Sequence, residues 1–195
     1  MPHPPVARYF AERFGPVDDH YLREIVPEQP SIDVGICRGG NAATLFTAGM
    51  SIRPMTVPQG MEDFQFAELF IQLPPDWPVT DIDSADHGWP VRWLREVAKF
   101  PHRQQTSLAG PAVVLANASA DDTFGPRTPF TGMLVVAEDD FRSADKQIKA
   151  YRLMPLYWEE IQLERRQGLP VLLRRFDEER IERVVDVERR NVGVG

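Results

Sequence analysis

The sequence predicts an α+β fold, a single domain in which a mixed β-sheet is flanked by helices. Two observations carry that reading. Strand-like segments gather between residues 32 and 73 and return after residue 110, while helical periodicity sits at the amino terminus, at 89–100 and after 155. No composition shift, repeat or low-complexity block marks a linker, and 195 residues are enough to bury a sizeable core as one unit. The expected organisation is an N-terminal helix and lead-in over 1–29, the main domain over 30–180, and a C-terminal tail over 181–195.

Residues 5–14 read as an opening helix. Pro5 suits a first turn, Val6, Tyr9, Phe10 and Phe14 share a face, and Gly15-Pro16 stops it. Residues 18–26 fit helix or strand, and the nearby Pro27 and Pro30 favour strand. Ile32, Val34 and Ile36 alternate with Asp33, Gly35 and Cys37, which predicts a strand over 32–38. Gly39-Gly40-Asn41 is a hairpin signal. A short apolar strand is expected over 44–51 and an alternating one over 64–73. Arg53-Pro54-Met55 and Asp76-Trp77-Pro78 lie where the chain leaves these strands.

A polar loop covers 79–88. Residues 89–100 read as a helix, with Pro90 in its first turn and Val91, Leu94, Val97 and Ala98 on one stripe; Pro101 is expected to end it. Further strands are expected at 110–116, 133–137 and 148–154. Pro155 is expected to open a helix closed by Gly168, with Glu159 and Glu160 early and Arg165 and Arg166 late, the order the helix dipole favours. Leu169-Pro170 opens another helix. Beyond residue 180 the pattern fits helix or extended tail, and the glycine-rich end is expected to fray.

Lys and Arg number 22 against 29 Asp and Glu, a net charge of −7. Such a chain is a poor default nucleic-acid binder, and its field favours encounter with basic proteins. Cys37 is the single cysteine, which excludes an intrachain disulfide and a multi-cysteine zinc site and fits a reducing compartment. No stretch approaches the roughly 18 apolar residues of a membrane span, and the first ten residues hold no apolar run of signal length. A cytoplasmic location without membrane association is expected.

Catalytic patterns fail one by one. Asp81, Asp83 and Asp86 begin like a calcium loop, but Asp86 stands where glycine is needed and Arg92 where the bidentate glutamate belongs. His3, His20, His87 and His102 are scattered. Cys37 has no neighbouring base to activate it. Gly35 to Gly40 lacks the lysine of a phosphate loop, and Thr47 to Ser51 is not a nucleophile elbow. No catalytic residue, metal ligand or cofactor is therefore expected. The alternative class is a small metal-dependent hydrolase using Asp81, Asp83 and Asp86 with His87 or His102, and a subunit of a larger complex is a further alternative. Tryptophan, methionine and arginine favour interface centres. Arg53, Met55, Asp76, Trp77, Trp89 and Trp93 are therefore the candidate partner-binding residues, with adjacent strand exits expected to bring them together.

The run Thr47-Ala48-Gly49-Met50-Ser51 with Arg53-Pro54-Met55 resembles the suppressor of fused family. So do Glu68-Leu69 with the following Leu73 to Pro78, Trp89-Pro90 with Trp93-Leu94, Phe100-Pro101-His102, Pro155-Leu156-Tyr157 and Leu172 to Phe176. The match keeps the family's order from about residue 30 to about 180. The resemblance implies a suppressor-of-fused-like fold without known catalysis that works by binding proteins. Stand-alone domains of this size look like bacterial members, several of which are thought to be immunity proteins that neutralise polymorphic toxins. The resemblance therefore implies a protein partner, with a basic toxin domain as the specific expectation.

Overall fold

Strand β1 (Asp33–Gly39) and strand β2 (Ala42–Ala48) form an antiparallel hairpin, with Gly40 at its tip at φ 61°, a conformation its missing Cβ permits. The computed structural model describes residues 4–24 and 29–194. Strands β3 (Ala67–Leu73), β4 (Ala112–Ala116), β5 (Phe130–Ser143) and β6 (Lys146–Tyr157) complete one sheet in the order β1-β2-β3-β6-β5-β4. Neighbours are antiparallel except β3 with β6, so the sheet is mixed and the α+β reading holds.

Helices cover both faces. The apolar stripe of α2 (Trp89–Gln104) buries Trp89, Leu94 and Val97 against Leu45, Leu69, Ile71, Met133 and Tyr151. On the other face α1 (Pro4–Phe14) sets Phe10 against Phe46 and Phe70, with ring centroids 4.4 and 5.7 Å apart. Helices α3 (Trp158–Gln167) and α4 (Leu169–Glu178) close Leu163, Leu172 and Phe176 over Leu134 and Leu156. Period-two alternation feeds both faces at once: Tyr151 and Leu153 point to α2, Ala150 and Leu156 to the helices opposite.

Several expected boundaries move, each for a physical reason. Residues 62–64 form a 3-10 turn, so β3 begins at Ala67, and Met50–Ile52 forms another instead of continuing β2. Pro101 lies inside α2, where it removes one N–H from the last turns; the helix ends at left-handed Gln105, whose N–H reaches the Pro101 carbonyl. Strands β5 and β6 run far beyond 133–137 and 148–154. The acidic run Glu138-Asp139-Asp140 lies past the expected strand end, yet Arg152 pairs Glu138 at 2.7 Å, Arg13 pairs Asp139 at 2.7 Å and Lys149 pairs Asp140 at 2.8 Å. Pro155 pairs with Met133 inside β6 and does not open a helix. β3 has left β6 by that point, so the missing N–H deprives no strand partner. Helix α3 starts at Trp158, with Glu160 accepting from the Tyr157 N–H at 3.0 Å.

Residues 17–24 join β1 through two isolated bridges, Val17 with Cys37 and Leu22 with Val34; residues 25 and 26 of the expected 18–26 segment lie outside the described residues. The described part of the tail, 181–194, is non-helical and packs on the domain as far as Val192. Val184 bridges to Gln72 where β3 and β6 diverge, and Val185 and Val192 are buried. Arg189 binds the fully buried Glu160 carboxylate with both Nη1 (2.6 Å) and Nη2 (2.5 Å), which joins the tail to the start of α3.

One buried carboxylate sets the path of the chain out of β2. Glu68, on β3, is fully enclosed and accepts from Thr47 Oγ1 (2.5 Å), Ser51 Oγ (2.6 Å), Ser51 N (3.1 Å) and Gly49 N (3.2 Å). Gly49 at φ 131° makes that turn, and a Cβ there would lie 2.2 Å from the Ser31 carbonyl oxygen. Burial raises the Glu68 pKa above its ordinary 4.5, against the opposing pull of the Ser51 and Thr47 hydrogen bonds. The folded state therefore keeps a proton that the unfolded chain has released, and stability falls as pH rises from 4.5 through the raised value. Glu68→Gln copies the protonated carboxyl. Its thermal unfolding should lack that pH dependence, so the wild type loses ground to it by up to about 1.4 kcal/mol per pH unit within the window. Parallel curves for the two proteins would contradict the assignment.

Candidate interaction site

Trp89 is the first residue of α2 and has no exposed surface. Trp77 lies edge-on to it with ring centroids 5.9 Å apart and donates from Nε1 to the His87 carbonyl at 3.0 Å. Phe124 packs between Trp89 (5.4 Å) and Trp93 (4.2 Å). These four rings brace two loops, 74–88 and 117–129, against each other. Arg92 ties the loops further, donating to the carbonyls of Ser84 (3.1 Å) and Phe124 (3.4 Å), and Arg127 approaches Asp86 at 3.5 Å.

The six candidate residues do not form one site. β2 and β3 are antiparallel, so their exits lie at opposite ends of the sheet: β2 ends level with the start of β3, while β3 ends level with Ala43. Asp76, Trp77, Trp89 and Trp93 share one end. Arg53 and Met55 sit at the other, where Arg53 lines a cleft of about 250 Å³ with Thr56, Pro101 and His102. Helix α2 spans the gap, about 24 Å for its 16 residues. Arg53 and Asp76 are exposed and Trp77 and Trp93 half-buried. Met55 and Trp89 are core residues that fill space under these loops, so neither offers its side chain to a partner.

The residues of the alternative hydrolase are also dispersed. His87 Nδ1 is 3.8 Å from Asp81 Oδ2, but Asp86 turns to Arg127 and His102 lies at the far end of α2. Among the described residues no group of three or more His, Cys, Asp or Glu side chains is placed to hold a metal ion. Cys37 is buried and its pKa is pushed up to about 12, by desolvation first and the Asp18 charge second, which leaves an unreactive thiol. His102 is held below its ordinary pKa by burial first and the Arg53 charge second.

What the loops do present is charge. Residues 74–93 and 117–129 hold six aspartates, Asp76, Asp81, Asp83, Asp86, Asp121 and Asp122, against Arg92 and Arg127. This end carries a net −4 of the chain's −7. Asp121 and Asp122 are absent from the sequence expectations because only the folding of the second loop against the first brings them there.

An α+β module with an acidic, aromatic-braced end is thus a class with a surface to offer. A family model described as suppressor of fused protein (SUFU) matches residues 28–190. The chain belongs to the suppressor of fused family. No curated protein matches the sequence. Among solved structures, a suppressor of fused homologue from Neisseria gonorrhoeae FA 1090 superposes with a TM-score of 0.65 at 12% identity, covering 97% of this chain and 96% of its own. A chain of the Sufu–Fu complex reaches 0.69 at 10% identity, with 98% and 93% covered. Drosophila Suppressor of Fused reaches 0.56 at 10% identity over 77% of this chain and 39% of its own.

Trp89→Ala should cost about 3–5 kcal/mol of stability in denaturant unfolding, because the ring is enclosed and braces both loops. Arg53→Ala should leave the midpoint within about 0.5 kcal/mol of wild type. Equal effects of the two substitutions would contradict the division between core and surface.

Proposed function

We propose that this chain works by binding a basic protein, and that it does so as an immunity protein, neutralising a toxin domain by occupying its surface. The acidic end carries the proposal. Four of its aspartates, Asp76, Asp83, Asp121 and Asp122, have no basic partner among the described residues, so their field is open to an incoming cation surface. Half-buried Trp77 and Trp93 give that surface an apolar centre of the residue type that dominates interface energetics. Membership of a protein-binding family supports the coarser part of the reading, as does the crystallisation of a fold neighbour in the Sufu–Fu complex.

Burial of the acidic surface against cationic groups makes affinity depend on salt, because exposed pairs more than about 8–10 Å apart are screened near physiological ionic strength. The direct test uses the product of the neighbouring gene, where this reading expects the toxin domain, purified and titrated with this protein. Wild type should bind and inhibit it, with affinity falling as salt rises. The combined variant Asp83→Asn, Asp121→Asn, Asp122→Asn should fold normally and associate at least about tenfold more slowly. Failure to bind at low salt, or binding indifferent to the three substitutions, would remove this reading.

A further inference from the structure

The sheet has two edges, and among the described residues only one is open. β1 is flanked by the lead-in, with the Asp18 N–H on the Ile36 carbonyl at 2.8 Å and Leu22 exchanging both backbone hydrogen bonds with Val34 at 2.9 and 3.1 Å. β4 closes the other end of the strand order. Its five residues, Ala-Val-Val-Leu-Ala, are all partly exposed, with no charge, no proline and no bulge in its pairing with β5. Those are the features by which protein edges usually block pairing.

We propose that the chain forms a two-fold symmetric homodimer in which two β4 strands pair antiparallel about Val114, joining both sheets into one.

The backbone fixes the register. The Ala137 N–H reaches the Pro111 carbonyl at 2.9 Å and the Asn117 N–H reaches the Thr131 carbonyl at 2.8 Å. Antiparallel ladders alternate, so residues 111, 113, 115 and 117 face β5. Ala112, Val114 and Ala116 therefore turn their N–H and C=O groups outward, where no described residue receives them. Pairing Val114 with its own copy sets Ala112 opposite Ala116, and every outward donor then meets an outward acceptor. A second copy satisfies this edge completely, because the row of free groups is symmetric about Val114.

The surroundings suit the same dyad. Between β4 and α2 lies a groove of about 340 Å³ lined by Trp93, Val97, Phe100 and Leu115, with Glu96 and Arg103 on its rim. Phe100 is 36% exposed, one of three large apolar side chains so exposed among the described residues. Glu96 and Arg103 on that rim pair with each other within one chain at 2.8 Å, so the rim of the groove sets no unpaired charge against the dyad. A five-residue strand pair alone falls short of the about 800 Å² per partner of a standard interface, so the dimer is a concentration-dependent one.

Sedimentation velocity from about 1 µM to about 1 mM reads the equilibrium directly. Wild type should shift from monomer to dimer across that range. Val114→Pro removes an outward N–H and leaves the β4–β5 ladder its bonds at Val113 and Leu115; it should weaken dimerisation at least about tenfold. Val114→Cys provides an independent readout: paired residues in such a position lie about 5.5 Å apart at Cα, within disulfide reach, and the buried Cys37 does not compete. Mild oxidation should yield a covalent dimer from Val114→Cys and not from Ala118→Cys. A protein that stays monomeric throughout, or a dimer that neither variant affects, would overturn the proposal. Both readouts report self-association through β4 and not toxin binding, although Trp93 borders both surfaces.

Discussion

The carboxylate of Glu68 is the constraint on which the path of the chain depends. It lies on a central strand with no exposed surface, and its two oxygens are satisfied only by Thr47, Gly49 and Ser51 at the end of the neighbouring strand. A buried carboxyl deprived of those donors costs several kcal/mol, so β2 has little freedom in how it leaves the sheet. The turn at Gly49 follows, then the 3-10 turn, and then the Met55 N–H on the Gln65 carbonyl at 2.7 Å, which drops the Met55 side chain into the core. Ile52, Arg53 and Pro54, between the buried Ser51 and Met55, are left outside.

A second buried carboxylate repeats the device at the other side of the sheet. Glu160 is enclosed at the start of α3 and bound by Arg189 from the tail. Both pairings join segments far apart in sequence at a point where the chain changes direction. Removing Arg189 strands a buried charge at Glu160, which is more costly than the pair itself is stabilising, and removing a donor from Glu68 leaves a buried carboxyl oxygen unsatisfied. The polar groups in this core thus fix connectivity, while Phe10, Trp89, Leu94 and their neighbours supply the bulk of apolar burial.

The fold class was legible in the sequence because periodicity reports burial directly. Ile32, Val34 and Ile36 gave β1, and Val91, Leu94 and Val97 gave α2. The β5–β6 hairpin was only half visible: the apolar pattern stops at Ala137, and Glu138 to Asp140 continue the strand because Arg13, Arg152 and Lys149 arrive from elsewhere in the chain to neutralise them. Pro155 misled for a related reason, since only the divergence of β3 makes a proline acceptable there. The candidate site was legible as a set of residue types and not as a place. Strand direction separates Arg53 from Trp77, and no local pattern encodes whether neighbouring strands exit at one end or at two. Glu68 carries a faint signal, a charged residue between Ala67 and Leu69, but its partners Thr47 and Ser51 look like the end of a strand.

Native-state hydrogen exchange at the Gly49 and Ser51 amides tests the organising role of Glu68 most directly. Both lie outside the strands, where loop amides ordinarily open with little cost. If the carboxylate holds them, they exchange only with global unfolding, at the same free energy as the amides of β3. Exchange at the rate of an exposed loop, with β3 still protected, would contradict that account.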